Sequence, residues 1–141
     1  MFNFKDKVVV ITGGARGIGK CIKEEFEKQG AKVCVIDILD NDYFIGDLGN
    51  KTDLETFAKK VIDEHGHIDY LINNAKPQTR GVTNGSYEDF EYALKVGVTA
   101  PFYLSKLLDQ TFREWKLIVP KCYTIVSKMN VNCMNLQAFI Y

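Results

Sequence analysis

Continuous apolar runs alternate along this chain with segments whose apolar residues recur every three or four positions. Val8, Val9, Val10 and Ile11 form a β-branched run of the kind a parallel strand carries when both of its faces are covered. Ile18, Cys21, Ile22 and Phe26 then fall on one face of a helix predicted over 17–29. Lys20, Lys23, Glu24, Glu27 and Lys28 occupy its solvated side, and Gly30 closes it in the left-handed conformation. A second β-branched strand is predicted over 32–36 and a short third one over 43–45. Thr52 and Glu55 have capping-box spacing for a second helix, whose stripe is Leu54, Phe57, Ala58, Val61 and Ile62 and whose end is Gly66. Residues 68–72 read as a further buried strand, and 76–85 as a polar loop. Ser86 with Asp89 caps a third helix containing Phe90, Ala93, Leu94, Val98, Phe102, Leu104, Leu107 and Leu108. Pro101 is predicted to kink or divide it near Gly97. This regular alternation predicts an α/β fold: a doubly wound parallel sheet with helices on both faces.

The candidate chemistry sits at the turns. Gly13, Gly14, Gly17 and Gly19 follow the first strand directly and open the first helix. Glycines there let the backbone turn sharply and let a ligand approach, while the unpaired N–H groups of the helix suit a pyrophosphate. The same pattern is also compatible with an ordinary strand-to-helix turn. Asp37 ends the second strand, where a carboxylate accepts hydrogen bonds from the adenosine ribose hydroxyls of a dinucleotide. Its charge repels a 2′-phosphate and so favours NAD over NADP. Arg16, a cation in the glycine loop, pulls weakly the other way. Asn73, Asn74 and Ala75 follow the fourth strand at its carboxyl end, where such sheets bind ligands.

Composition removes other classes. Lys plus Arg and Asp plus Glu number 18 each, so no net charge favours nucleic acid or an anionic membrane surface. No run is long and apolar enough to span a bilayer, and the first strand begins too early for a signal peptide. Cys21, Cys34, Cys122 and Cys133 lack metal-ligand or redox spacing, which points to reduced, mostly buried thiols and a cytoplasmic protein. His65 and His67 lack supporting ligands for a metal and are expected to face solvent, so no metal site is predicted.

With these residues in place, the chain resembles the short-chain dehydrogenase/reductase family over about residues 5–112. Its residues 12–19, from Thr12 through Gly13, Gly14, Ala15, Arg16, Gly17 and Ile18 to Gly19, match that family's Thr-Gly-x-x-x-Gly-x-Gly loop. Asp37 matches its NAD-selecting acid, and Asp47 with Leu48 its adenine-contacting pair. Asn73, Asn74 and Ala75 match most of its Asn-Asn-Ala-Gly motif, with Lys76 in place of the last glycine. The resemblance implies a Rossmann-like, NAD(P)-binding domain over 1–114, incomplete relative to the family. It implies hydride transfer between NAD and a small alcohol or carbonyl substrate. The cofactor contacts it implies are Gly13, Arg16, Gly17, Ile18, Gly19, Asp37, Asp47, Leu48, Asn73 and Ala75.

Gly97 stands where the family carries an Asn, which removes the amide that holds a water in the family's proton relay. A further strand over 123–127 would bring Ser127, and Tyr141 follows at nearly the family's Ser-to-Tyr spacing. These are the candidate catalytic pair, Ser to orient the substrate oxygen and Tyr to transfer its proton. No Lys follows Tyr141, and both residues read equally as unrelated positions of a divergent tail, 115–141. That tail has no acid after Glu114 and no glycine after Gly97. The expectation is a truncated product, with a reading-frame change near Glu114 as its origin. The family's homo-oligomer is not expected to form without the later helices. The alternative to an oxidoreductase is a nucleotide-binding module without a complete Ser-Tyr-Lys site.

Overall fold

The computed structural model describes residues 3–77 and 80–111. The tail 115–141, with the strand predicted over 123–127 and the candidates Ser127 and Tyr141, lies outside the described residues.

Among the described residues, four parallel strands form one sheet in the order β3-β2-β1-β4. They are β1 (Val8–Thr12), β2 (Lys32–Asp37), β3 (Phe44–Ile45) and β4 (Tyr70–Asn73). Between them lie α1 (Gly17–Lys28) and α2 (Lys51–His65). A single turn α3 (Gly81–Asn84), then α4 (Tyr87–Leu94) and α5 (Ala100–Leu108), follow β4. Val9 pairs with Val33 on one side and Tyr70 on the other, so β1, like β2, is an inner strand of the sheet.

All five β1 residues are buried, and the side chains of the first four divide between two cores. Val8 and Val10 pack with Cys34, Ile36, Phe57, Val61, Leu104 and Leu108, beneath α2 and α5. Val9 and Ile11 pack with Phe4 and Phe26, beneath α1. Each such aliphatic side chain contributes roughly 1.5–3 kcal/mol on leaving water. That two-sided burial is why the run shows no polar alternation.

At the amino end of the sheet, Asp69 is buried and ties two strands together. Its Oδ2 accepts from the Val8 N–H (2.9 Å) and its Oδ1 from Lys7 Nζ (3.0 Å). Burial pushes its carboxyl pKa up, but the Val8 N–H and Lys7 outweigh that and hold it below the ordinary value.

Several expectations are corrected in detail. The cap of α2 is Asn50, whose side chain accepts from Thr52 N, and the helix starts before Thr52. Asp53 bonds Asp47 N instead of completing a box. β4 runs Tyr70–Asn73 rather than over 68–72, because the Ile68 N–H goes to Thr111 O and Asp69 turns back onto Val8. The loop 76–85 holds α3. His65 and His67 are half-buried, with side chains 16% and 19% exposed, because they fold back over the end of α2 and towards Asp69. Ile18 is exposed, so the buried face of α1 rests on Gly19 and Phe26. Leu104 and Leu108 are buried, but Phe90, Leu94, Val98 and Phe102 face outwards.

The helix after Ser86 is not divided at Gly97. It widens into a π-helical segment, Lys95–Thr99, in which the Ala100 N–H donates to Lys95 O. Pro101 has no N–H for the carbonyl of Gly97 and its ring crowds that carbonyl, so one wider turn absorbs the mismatch. The capping box of Ser86 and Asp89 is present.

Candidate functional site

The carboxyl ends of β1, β2 and β4 meet at the glycine loop. Thr12, the last residue of β1, turns its hydroxyl oxygen towards β4, where it accepts from the N–H groups of Asn74 and Ala75, both at 3.0 Å. Asn74 returns the link through Nδ2, donating to Gly13 O (2.9 Å) and Thr12 O (3.2 Å). The glycine loop is therefore fastened to the end of β4 by side chain and backbone together.

Space explains the glycines one by one. A Cβ on Gly13, which has φ +69°, would lie 2.8 Å from Ala75 Cα. One on Gly14 would lie 2.8 Å from a methyl carbon of Val35. On Gly19 it would collide with the carbonyl oxygen of Gly13 and the Asn74 amide. Gly17 is different: its φ is +57°, and no atom of the described residues lies within 4 Å of where its Cβ would stand. Here the loop opens outwards, at the first residue of α1.

Among the described residues, no side chain caps the start of α1. Arg16 occupies the cap position without a side-chain bond to the helix, and no acid lies in the first turn. By contrast α2 has Asn50 and Asp53 there, and α4 has Ser86, Glu88 and Asp89. The N–H groups of Gly17, Ile18 and Gly19 thus leave the positive end of a 12-residue helix uncompensated.

Asp37 stands at the tip of β2, only 8% exposed. Its Oδ2 accepts from Ala15 N and its Oδ1 from Leu39 N, both at 3.0 Å. The carboxylate thereby lies against the glycine loop. Arg16 is exposed on the same loop.

Asp47 and the buried Leu48 lie in the turn between β3 and α2. The Asp47 N–H donates to Asp53 Oδ2 (2.8 Å), while its Oδ1 accepts from Gly49 N (2.7 Å) and from the Tyr92 hydroxyl (2.8 Å). Burial first, and the Asp47 carboxylate second, push Tyr92 up to about 12, so its hydroxyl stays a donor. Asn73 ends β4 with a buried Oδ1 that has no hydrogen-bond partner among the described residues.

The residues named from sequence thus gather at one end of the sheet, apart from Ser127 and Tyr141, which lie outside the described residues. Two residues that brace this end of the sheet were not singled out from the sequence. Asn74 belongs to a quoted motif, yet its brace on Gly13 depends on a strand pairing. Tyr92 carried no signal, since nothing local connects α4 with the turn before α2. Among the described residues, no group of His, Cys, Asp or Glu could hold a metal ion. No helix among them is long and apolar enough to cross a membrane.

Comparison with known proteins agrees with this geometry. The family model for short chain dehydrogenases matches residues 7–116. An uncharacterized oxidoreductase of Thermotoga maritima is 36% identical, covering 79% of this chain and 51% of its own length. The structure of an apo SCOR enzyme from Clostridium thermocellum, 36% identical, superposes with a TM-score of 0.69 over 74% of this chain and 49% of that one. A 3-ketoacyl-(acyl-carrier-protein) reductase from Brucella melitensis, complexed with NADH, is 25% identical with a TM-score of 0.68, over 78% of this chain and 52% of that one. The chain spans about half the length of the relatives it matches. With its Rossmann-like sheet and its Thr12–Gly19 loop, the chain belongs to the short-chain dehydrogenase family of oxidoreductases.

Proposed function

We propose that this chain forms the cofactor-holding part of an oxidoreductase that moves a hydride between NAD and a small alcohol or carbonyl compound. The observation that carries the reading is the open start of α1, where Gly17 leaves space and the first-turn N–H groups have no side-chain cap. A pyrophosphate would take the N–H groups of Gly17, Ile18 and Gly19, with Gly13 setting the turn and Arg16 at its rim. Asp37 would hold the adenosine ribose, and Asp47 with Leu48 the adenine. Asn73 and Ala75 would line the nicotinamide side, where Asn73 Oδ1 has no donor among the described residues.

When bound, the dinucleotide supplies or accepts the hydride, and the protein orients the partners and manages the proton. NAD is preferred to NADP because Asp37 places a negative charge where a 2′-phosphate would sit. Ser127 is assigned to orient the substrate oxygen and Tyr141 to exchange its proton, on sequence spacing alone. A second reading, a nucleotide-binding module without turnover, is favoured by Gly97, which brings no amide to the π-helical segment.

Calorimetric titration with NADH and with NADPH tests the cofactor. Saturable binding that is tighter for NADH is expected, and no binding by folded protein overturns the reading. Oxidation of NADH with a panel of carbonyl compounds then separates the oxidoreductase from the silent module.

A further inference from the structure

Asp47 is reached from two directions. Its own turn supplies the Gly49 N–H, and α4 supplies the Tyr92 hydroxyl, both to Oδ1. Hydrogen bonds from the described residues leave Oδ2 open. The Tyr92 ring lies against Gly49, where a Cβ would stand 2.7 Å from a ring carbon. The absence of a side chain at Gly49 is thus what lets the ring lie flat enough for its hydroxyl to meet the carboxylate.

The turn is otherwise held from its own side. Gly46 N–H donates to Asp37 O, Asp47 N–H to Asp53, and Asn50 N–H to Asp47 O. These bonds fix the backbone but not the plane of the Asp47 carboxylate. Two donors on one oxygen do fix it, and they direct the other oxygen away from Tyr92.

We propose that Tyr92 is a positioning residue for the adenine end of the cofactor site. By occupying Oδ1 it presents Oδ2 as the acceptor for the 6-amino group of adenine. Discrimination between adenine and a base with a carbonyl at that position then depends on a residue that does not touch the base. The inference rests on the dinucleotide reading of Asp47.

The test titrates full-length protein with NADH and with reduced nicotinamide hypoxanthine dinucleotide, which has a carbonyl in place of the 6-amino group. Wild type should prefer NADH by about tenfold, the scale of one charge-assisted hydrogen bond. Tyr92→Phe should lose about fivefold in NADH affinity and leave the hypoxanthine analogue unchanged, so that the preference shrinks. Gly49→Ala, which displaces the ring without removing the hydroxyl, should shrink it in the same way. Equal losses for both dinucleotides, or an unchanged preference in Tyr92→Phe, overturn the role of Tyr92 while the cofactor reading stands on wild-type binding. Failure of wild type to bind either dinucleotide overturns both this inference and the cofactor reading beneath it.

Discussion

Asn74 donates its side-chain amide to the carbonyl of Gly13 at 2.9 Å, so the end of β4 braces the turn that opens the cofactor site. The same amide reaches Thr12 O, and Thr12 in turn accepts two N–H groups from the β4 end.

Replacing Asn74 by Ala leaves the Gly13 and Thr12 carbonyls without this donor. The expected cost is about 1–3 kcal/mol of stability, with weaker NADH binding because the loop loses its anchor. Denaturant unfolding and NADH titration check it, and a variant equal to wild type in both would show the brace to be idle.

Gly17 and Gly19 should respond differently to Ala, although they are two residues apart. At Gly17 the left-handed backbone carries a penalty of about 1–2 kcal/mol, and no described residue crowds the added methyl. At Gly19 the methyl meets the Gly13 carbonyl, which is backbone and cannot step aside, so α1 must shift. Gly19→Ala should therefore lose more stability and abolish NADH binding. Melting midpoints that rank the variants the other way would refute the packing explanation.

How much of this could be read from the chain itself depends on how local each cause is. The glycine loop, Asp37 and the cap of α4 were legible because turn, tip and cap are each set by a few neighbouring residues. The start of α2 was misread because Asn50 captured the Thr52 N–H two positions earlier. β4 was placed two residues early because Ile68 and Asp69 look like strand residues, whereas their hydrogen bonds go to Thr111 and Val8. The outward turn of Phe90, Leu94, Val98 and Phe102 was hidden, since periodicity finds an apolar stripe without saying what lies beneath it. The links from Asn74 to Gly13 and from Tyr92 to Asp47 join distant segments, and composition or spacing carries no trace of them.

Asp37→Ser removes the charge at the tip of β2. NADPH affinity should rise relative to NADH by about tenfold, a change of roughly 1.4 kcal/mol. Absolute affinity for NADH should fall, since Ala15 N and Leu39 N also lose their acceptor. Titration of both cofactors decides it; an unchanged ratio would remove Asp37 from cofactor choice.

Stability should decline in two steps on acidification. Burial, only partly offset by Glu64, holds His65 below its ordinary value, so its neutral form is favoured in the fold. That contribution is complete above the unfolded value near pH 6.5 and is lost as pH falls through the lower folded value. Asp69 is likewise depressed. Its contribution is complete above the unfolded value of about 3.9 and is lost as pH falls through the folded one. Most of it comes from the Val8 N–H, since Lys7 is 39% exposed and its attraction is screened. Melting midpoints across this range should show His65→Gln flattening the first descent and Asp69→Asn the second. A wild-type midpoint that does not move would contradict both.

The inner place of β1 also sets a timetable for synthesis. Of the four described strands it is made first, yet Val9 must wait for Val33 on one edge and for Tyr70 on the other. Until β4 has been made, a nascent chain holds five apolar-rich residues with one edge open, the kind of segment that pairs with a wrong neighbour. The glycine loop is translated early, but the residue that braces it, Asn74, comes only after β4. Of the four described strands, the one that bears the site is thus made first and paired on both edges only once the fourth is made.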